Sequence, residues 1–223
     1  MHDIRTDLVP QDDLGLSPSC PTPQRAITAV RHGWTSAARS GTVLEVWKYP
    51  KTAQDAHAIE RLVGQRVVSW SGVEWAIRAT GPDGLPVFAD DRVPCLQLAR
   101  LVSHFDSGDE LSFLTYQDDD ACCLYLSTDG YAVHPDDPTS MARSRALAEL
   151  PVGEIVDASI RASEDGLIAE VHFRVEERRL ILIVGEVWEE PGNRLSFHRL
   201  DESVLVFTDA ADADGIDWIP PRP

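Results

Sequence analysis

Short runs of alternating apolar and polar residues, separated by glycine, proline and acidic turns, dominate this sequence. Alternation with a period of two is typical of β-strands that bury one face. The fold class that it predicts is α+β, predominantly antiparallel β. The predicted strands cover residues 42–48, 66–70, 73–78, 85–88, 95–105, 111–116, 122–127, 153–162, 167–175, 180–188, 195–200 and 204–208.

Three stretches show helical spacing instead. A short helix is predicted near residues 22–33, and a longer one over 52–63. In the second, Thr52 and Asp55 resemble a capping box, with Asp in place of the usual Glu. A third helix is predicted over 139–150, where alanine and leucine residues recur on one side. The sequence therefore predicts two to three helices beside the strands.

The hairpin pattern of residues 107–129 recurs over 191–209. Each copy has a glycine turn, then Leu-Ser-Phe, an acidic turn, and an apolar run closed by Thr-Asp. We interpret this as an internal duplication that produces two similar β-meander modules. The alternative is that two ordinary meanders share a β-rich composition. The predicted organisation is an N-terminal arm with a short helix (1–41), a first α+β module (42–138), a linking helix (139–150), a second β-meander module (151–209) and an acidic, proline-rich tail (210–223).

The overall charge limits the partners that the protein can bind. The chain has 223 residues, with 20 Lys and Arg against 37 Asp and Glu, which gives a formal net charge of −17. Such a surface repels a phosphate backbone and an anionic membrane, so we expect no direct binding to nucleic acid or membranes. It attracts and steers a basic protein.

The sequence also indicates a cytoplasmic location. It shows no basic start followed by a long apolar core, and no apolar run long enough to span a bilayer, so we expect no signal peptide and no membrane span. The four cysteines, which include the adjacent pair Cys122 and Cys123, match neither a disulfide framework nor a zinc motif. We interpret them as reduced thiols.

Acidic residues are segregated along the chain. No Lys or Arg lies between Arg100 and Arg143, and the acids cluster in the turns of both hairpin copies. One interpretation is a docking face for a basic partner. The other is that acidic turns keep a β-protein soluble and protect its sheet edges. The predicted partner-binding residues are Asp106, Asp109, Glu110, Asp118, Asp119, Asp120, Asp201, Glu202, Asp209, Asp212 and Asp214.

Motifs for catalysis or cofactor binding are missing from the sequence. It has no Gly-x-Ser-x-Gly elbow, no dinucleotide fingerprint and no phosphate-binding loop. The histidines do not have metal-ligand spacing, so no catalytic residue, metal or cofactor is predicted. A Ser/His/acid arrangement is invisible at this level because its members are distant in the chain.

The functional hypothesis is a non-catalytic acidic protein that neutralises a basic partner. Bacterial immunity proteins that block nuclease or deaminase toxins have this character, because inhibition needs only shape and charge complementarity. One alternative is a nucleic-acid mimic that occupies a DNA-binding cleft. Another is an enzyme or small-ligand binder with a pocket between the modules, using His172, His198 or Glu186. The sequence leaves the partner and the oligomeric state open.

Overall fold

The computed structural model describes residues 52–118, 121–128 and 137–222. The predicted N-terminal arm, its short helix and the strand at 42–48 lie outside the described residues. The described elements are α1 (Thr52–Glu60), β1 (Arg66–Trp75), β2 (Leu96–Phe105), β3 (Glu110–Asp118), β4 (Ala121–Ser127), β5 (Ala142–Ala146), β6 (Gly153–Ala162), β7 (Ile168–Val175), β8 (Arg178–Glu190), β9 (Arg194–Phe207), α2 (Ala210–Asp214) and β10 (Trp218–Ile219).

All ten described strands belong to one sheet, in the order β10-β9-β8-β7-β6-β1-β2-β3-β4, and β5 pairs with β1. Every pairing is antiparallel except that of β10 with β9, so the predicted predominance of antiparallel β-structure is confirmed. β9 also pairs with β2, which closes six strands into a ring. The strands predicted for the two modules therefore continue as one sheet.

The alternating residues of the strands build two cores. The larger core includes Leu101, Phe113 and Phe173, and the rings of the two phenylalanines meet edge to face with centroids 5.8 Å apart. The smaller core includes Phe207 and Trp218. β8 contributes to both because its successive residues point to opposite faces. This explains its nearly continuous apolar run, which a strand exposed on one face does not need.

The helix predicted over 52–63 is confirmed as α1, and the chain turns away at Gly64 with φ of +87°. The helix predicted over 139–150 is wrong, since the segment forms β5. Its backbone pairs with the second half of β1, from Ser71 to Trp75. Helix propensities differ by only tenths of a kcal/mol per residue, so this pairing overrides them.

The second predicted hairpin is also wrong. The first copy does form the hairpin of β3 and β4, but in the second copy both predicted strands lie along the single strand β9. β9 stays paired with β8 on both sides of a bulge. Val184 is opposite Val204, but the next residue of β8, Gly185, is opposite Arg199, so residues 200–203 of β9 form the bulge. Leu200 begins the bulge with φ of +57°. The internal duplication itself stays a prediction.

The segment predicted as an acidic tail, 210–223, is built into the fold. It contains α2 and β10, and the indole Nε1 of Trp218 donates to the carbonyl oxygen of Ala213 at 2.8 Å. Trp218 is buried in the smaller core. Burial of a large aromatic ring supplies the apolar area that holds this segment against the sheet.

Candidate functional site

The predicted docking acids lie in three separate places. The first is the turn between β2 and β3, where Asp106, Asp109 and Glu110 are exposed. Ser107 Oγ donates to Asp109 Oδ2 at 2.8 Å, which orders the turn. The acids of this turn lie at the start of β3, whereas Asp118 lies at its end. Nine residues of strand separate these places by about 27 Å.

The second place joins the two acidic turns that follow the Leu-Ser-Phe sequences. The hydroxyl of Thr115 on β3 donates to the carbonyl oxygen of Glu202 in the β9 bulge. Burial raises the pKa of the Cys122 thiol to about 11, with contributions from the negative charges of Asp201 and Glu202. Asp201 and Glu202 therefore lie beside the β3–β4 hairpin, near its Asp118 end. Asp119 and Asp120 lie outside the described residues.

The third place is α2. Asp209 caps this helix by accepting from the backbone N–H of Ala211 at 2.9 Å. Asp212 is exposed, and Asp214 forms an ion pair with Arg222 at 2.6 Å. The structure thus places Asp201 and Glu202 beside the β3–β4 hairpin, whereas the acids of the β2–β3 turn lie at the other end of β3.

Seven arginines in the described part lie around buried carboxylates. Three acids, each nearly inaccessible to solvent, form the centres of these groups. They are Glu74 with Arg143 and Arg145, Asp90 with Arg78 and Arg92, and Glu170 with Arg161, Arg199 and Arg222. Within the described ranges, six of the predicted docking acids take part in no ion pair: Asp106, Asp109, Asp201, Glu202, Asp209 and Asp212. These seven arginines therefore neutralise buried acids and leave these six acids without an ionic partner among the described residues.

Glu170 is the most completely buried of these carboxylates, with no exposed surface. Arg222 donates to its two oxygens at 3.0 and 2.9 Å, and His172 Nε2 lies 2.8 Å from Oε2. Burial by itself raises the pKa of Glu170, but the hydrogen bonds from His172 and Arg222 outweigh it and lower the pKa to about 2. Arg199 also donates to the carbonyl oxygen of Pro221 at 2.8 Å. This cluster, which we call the Glu170 cluster, ties the C-terminal segment to the sheet.

A second polar site crosses three neighbouring strands on the opposite face from the larger core. Ser71 Oγ on β1 lies 2.8 Å from His104 Nε2 on β2, and His104 Nδ1 lies 3.0 Å from Glu110 Oε1 on β3. We call this chain of hydrogen bonds the Ser71–His104–Glu110 relay. It borders a cavity of about 380 Å³, lined by Ser71, Gly72, Val73, Arg100, Val102, His104, Glu110, Ser144 and Arg145.

The sheet register brings the members of the relay together. His104 and Glu110 are directly opposite each other across the β2–β3 turn. Ser71 is opposite Val102, and so its side chain reaches His104 diagonally on the same face. The pairing of His104 with Glu110 could be predicted from the sequence, because the two residues lie on either side of a predicted Ser-Gly turn. Ser71 gave no such signal, since it precedes His104 by 33 residues.

The residues suggested for a pocket between the modules are placed elsewhere. His172 belongs to the Glu170 cluster, and the ring of His198 stacks on Trp188 with centroids 4.4 Å apart. Neither these histidines nor Glu186 lines the cavity beside the relay. The alternative hypothesis of a pocket built from these residues stays a prediction.

In the ranges that the structure describes, no three His, Cys, Asp or Glu side chains are grouped so that they could hold a metal ion. Neither described helix has the length and apolar character that crossing a membrane requires. No family model matches the chain, and the searches of curated proteins and of solved structures found no significant match.

Proposed function

We propose that this chain is an acidic binding protein that neutralises a basic protein partner, in the manner of a bacterial immunity protein acting on a toxin in the cytoplasm. The observation that carries the proposal is the separation of charge within the fold. Seven arginines pair with buried carboxylates, whereas Asp106, Asp109, Asp201, Glu202, Asp209 and Asp212 have no ionic partner among the described residues. Unneutralised like charges cost stability, and attraction of a basic surface offsets that cost.

The docking surface that we propose is centred on the β9 bulge and the end of the β3–β4 hairpin. Asp201 and Glu202 lie there beside the strand end at Asp118. Charges concentrated on one surface steer a basic partner and raise the association rate constant, typically by at least about 10-fold at low salt. Salt shortens the range of this attraction, so association should slow as the ionic strength rises.

The first experiment identifies the partner. The tagged protein is used for affinity capture from a bacterial lysate at about 0.05 M and about 0.5 M salt, where the screening length differs by about threefold. The proposal predicts that a basic protein is retained at low salt and depleted at high salt. Capture of only neutral or acidic proteins contradicts it. Capture of a DNA-binding enzyme whose DNA competes for the same surface supports the variant in which the acids mimic a nucleic acid.

The second experiment tests the surface. The double variant Asp201→Asn with Glu202→Gln removes two charges and keeps the hydrogen bond from the Glu202 N–H to Asp201 Oδ1. We expect its association rate constant for the captured partner to fall by about 10-fold. The matched control, Glu164→Gln with Asp165→Asn, removes the same charge from the exposed turn between β6 and β7. Equal effects of the two variants would show that only net charge matters and that the proposed surface is wrong.

A further inference from the structure

The polarity of the Ser71–His104–Glu110 relay follows from its hydrogen bonds. An ionised carboxylate only accepts, so His104 Nδ1 must carry the proton that is shared with Glu110 Oε1. In the neutral ring, Nε2 then has a free lone pair and accepts from the hydroxyl of Ser71. This is the tautomer that a general base needs for removing the proton of a serine nucleophile.

The relay also has access to a ligand. Ser71 and His104 are partly exposed, and both line the 380 Å³ cavity. This volume lies at the lower end of the range for small-molecule sites. Val73 and Val102 give the cavity an apolar wall, and Arg100 adds positive charge.

We propose that the relay is an acyl-transfer site in which Ser71 attacks small esters with a short acyl chain. Ser71 Oγ forms a bond to the acyl carbon while its proton passes to His104 Nε2. The bond to the leaving alcohol breaks, and that oxygen receives the proton from His104. Water then attacks the acyl carbon and gives its proton to His104. The bond between the acyl carbon and Ser71 Oγ breaks, and His104 returns the proton to Ser71 Oγ. The net reaction consumes one ester and one water and releases one carboxylic acid and one alcohol.

The source of oxyanion stabilisation differs from the usual backbone arrangement. β1 is paired on both sides at Ser71, with β2 and with β5, so its backbone N–H groups are committed to the sheet. Arg100 lines the same cavity, where its guanidinium donates to Ser112 Oγ, and we assign the stabilisation of the oxyanion to its positive charge. Arg145 also lines the cavity, but its charge is neutralised by ion pairs with Glu74 and Glu149.

This site goes beyond the proposed binding function and does not depend on it. The first test is incubation of the wild-type protein with an alkyl fluorophosphonate, followed by peptide mapping. The expected result is a single adduct on Ser71. Absence of that adduct from the folded wild-type protein overturns the proposal, whatever the variants do.

The second test is turnover of p-nitrophenyl acetate and p-nitrophenyl butyrate. Ser71→Ala should lower kcat/KM by at least about 10³-fold. The matched control is Ser69→Ala, on the same strand, where the side chain is exposed and does not line the cavity. Circular dichroism checks that both variants are folded. Equal turnover by the two variants overturns the proposal.

Glu110 acts through His104 and is a positioning residue. Replacement by glutamine should lower kcat by about 10²-fold while KM stays unchanged, because the imidazole loses its carboxylate partner but the cavity keeps its shape. Glu110→Asp should restore part of kcat. If KM rises and kcat is unchanged in Glu110→Gln, Glu110 only shapes the cavity and the relay does not operate.

Discussion

Replacing Glu170 by glutamine should remove a large part of the stability of this fold. The glutamine side chain has nearly the same volume but no charge, so the change isolates electrostatics from packing. In the wild-type protein, Glu170 accepts from Arg222 and His172 in a fully buried position. The variant leaves buried guanidinium groups without their counter-ion, and breaking a buried pair in this way costs about 3–5 kcal/mol.

The lowered pKa of Glu170 gives a second value for the stability that this residue contributes, and it predicts how that stability depends on pH. Hydrogen bonds lower the pKa of Glu170 from 4.5 to about 2 against the opposing effect of burial. At about 1.4 kcal/mol per pKa unit, this corresponds to roughly 3 kcal/mol of stability. Because the folded-state pKa is depressed, this contribution is fully present above the unfolded-state pKa and is lost as the pH falls towards about 2.

The assay is urea unfolding followed by tryptophan fluorescence at several pH values. At pH of about 7, Glu170→Gln should be roughly 3–5 kcal/mol less stable than the wild-type protein. At pH of about 3, the stability advantage of the wild-type protein over Glu170→Gln should be smaller by roughly 2 kcal/mol.

The matched control is Glu164→Gln, an exposed acid in the turn between β6 and β7 that should follow the wild-type curve. If Glu170→Gln lies within about 1 kcal/mol of the wild-type protein at neutral pH, the Glu170 cluster does not stabilise the fold. A stability difference that stays constant from neutral pH to about pH 3 would refute the linkage argument.

Three further predictions concern the cysteines, the smaller core and the β9 bulge. Burial, followed by nearby negative charge, raises the pKa values of Cys122 and Cys123 to about 11. Alkylation of these thiols at about pH 8 should therefore be at least about 10-fold slower than alkylation of a free thiol. Mass spectrometry measures the rate, with the unfolded protein as the control. Phe207→Ala empties a fully buried site and should cost about 3–5 kcal/mol in urea unfolding; a loss below about 1 kcal/mol contradicts the described packing. Gly185→Ala places a Cβ 2.5 Å from the carbonyl oxygen of His198. This clash should lower the Tm measured by calorimetry by about 5 °C. An unchanged Tm would show that the bulge relaxes to accept the methyl group.

Local patterns were sufficient for the features that depend on neighbours in the chain. The helix at Thr52–Glu60 follows from its cap-like start and its glycine stop. The β2–β3 and β3–β4 hairpins follow from alternation and turn residues. The same reasoning failed for 139–150, because alanines spaced four apart fit a helix and also fit the strand that pairs with β1.

The candidate site was predictable only in part. Acidic residues in turns were expected at the surface, and the exposed positions of Asp106 and Glu202 agree with that expectation. The position of Glu202 beside the β3–β4 hairpin depends on the β9 bulge, because a second hairpin in place of a continuous strand would have carried Glu202 elsewhere. Ser71 could not be recognised, since serine is common in strands and its contact with His104 arises from register alone.

Periodicity and composition were enough to predict the predominance of antiparallel β-structure, the approximate ends of β2, β3, β4, β6, β7 and β8, the strong negative charge and the burial of apolar runs such as β8. These properties depend on periodicity and composition, which act within a few residues. The tertiary structure decided the pairing of β5 with β1, the continuity of β9, the Glu170 cluster and the Ser71–His104–Glu110 relay. Each of these depends on which distant strands become neighbours and in what register, and a shift of one residue turns every side chain to the opposite face.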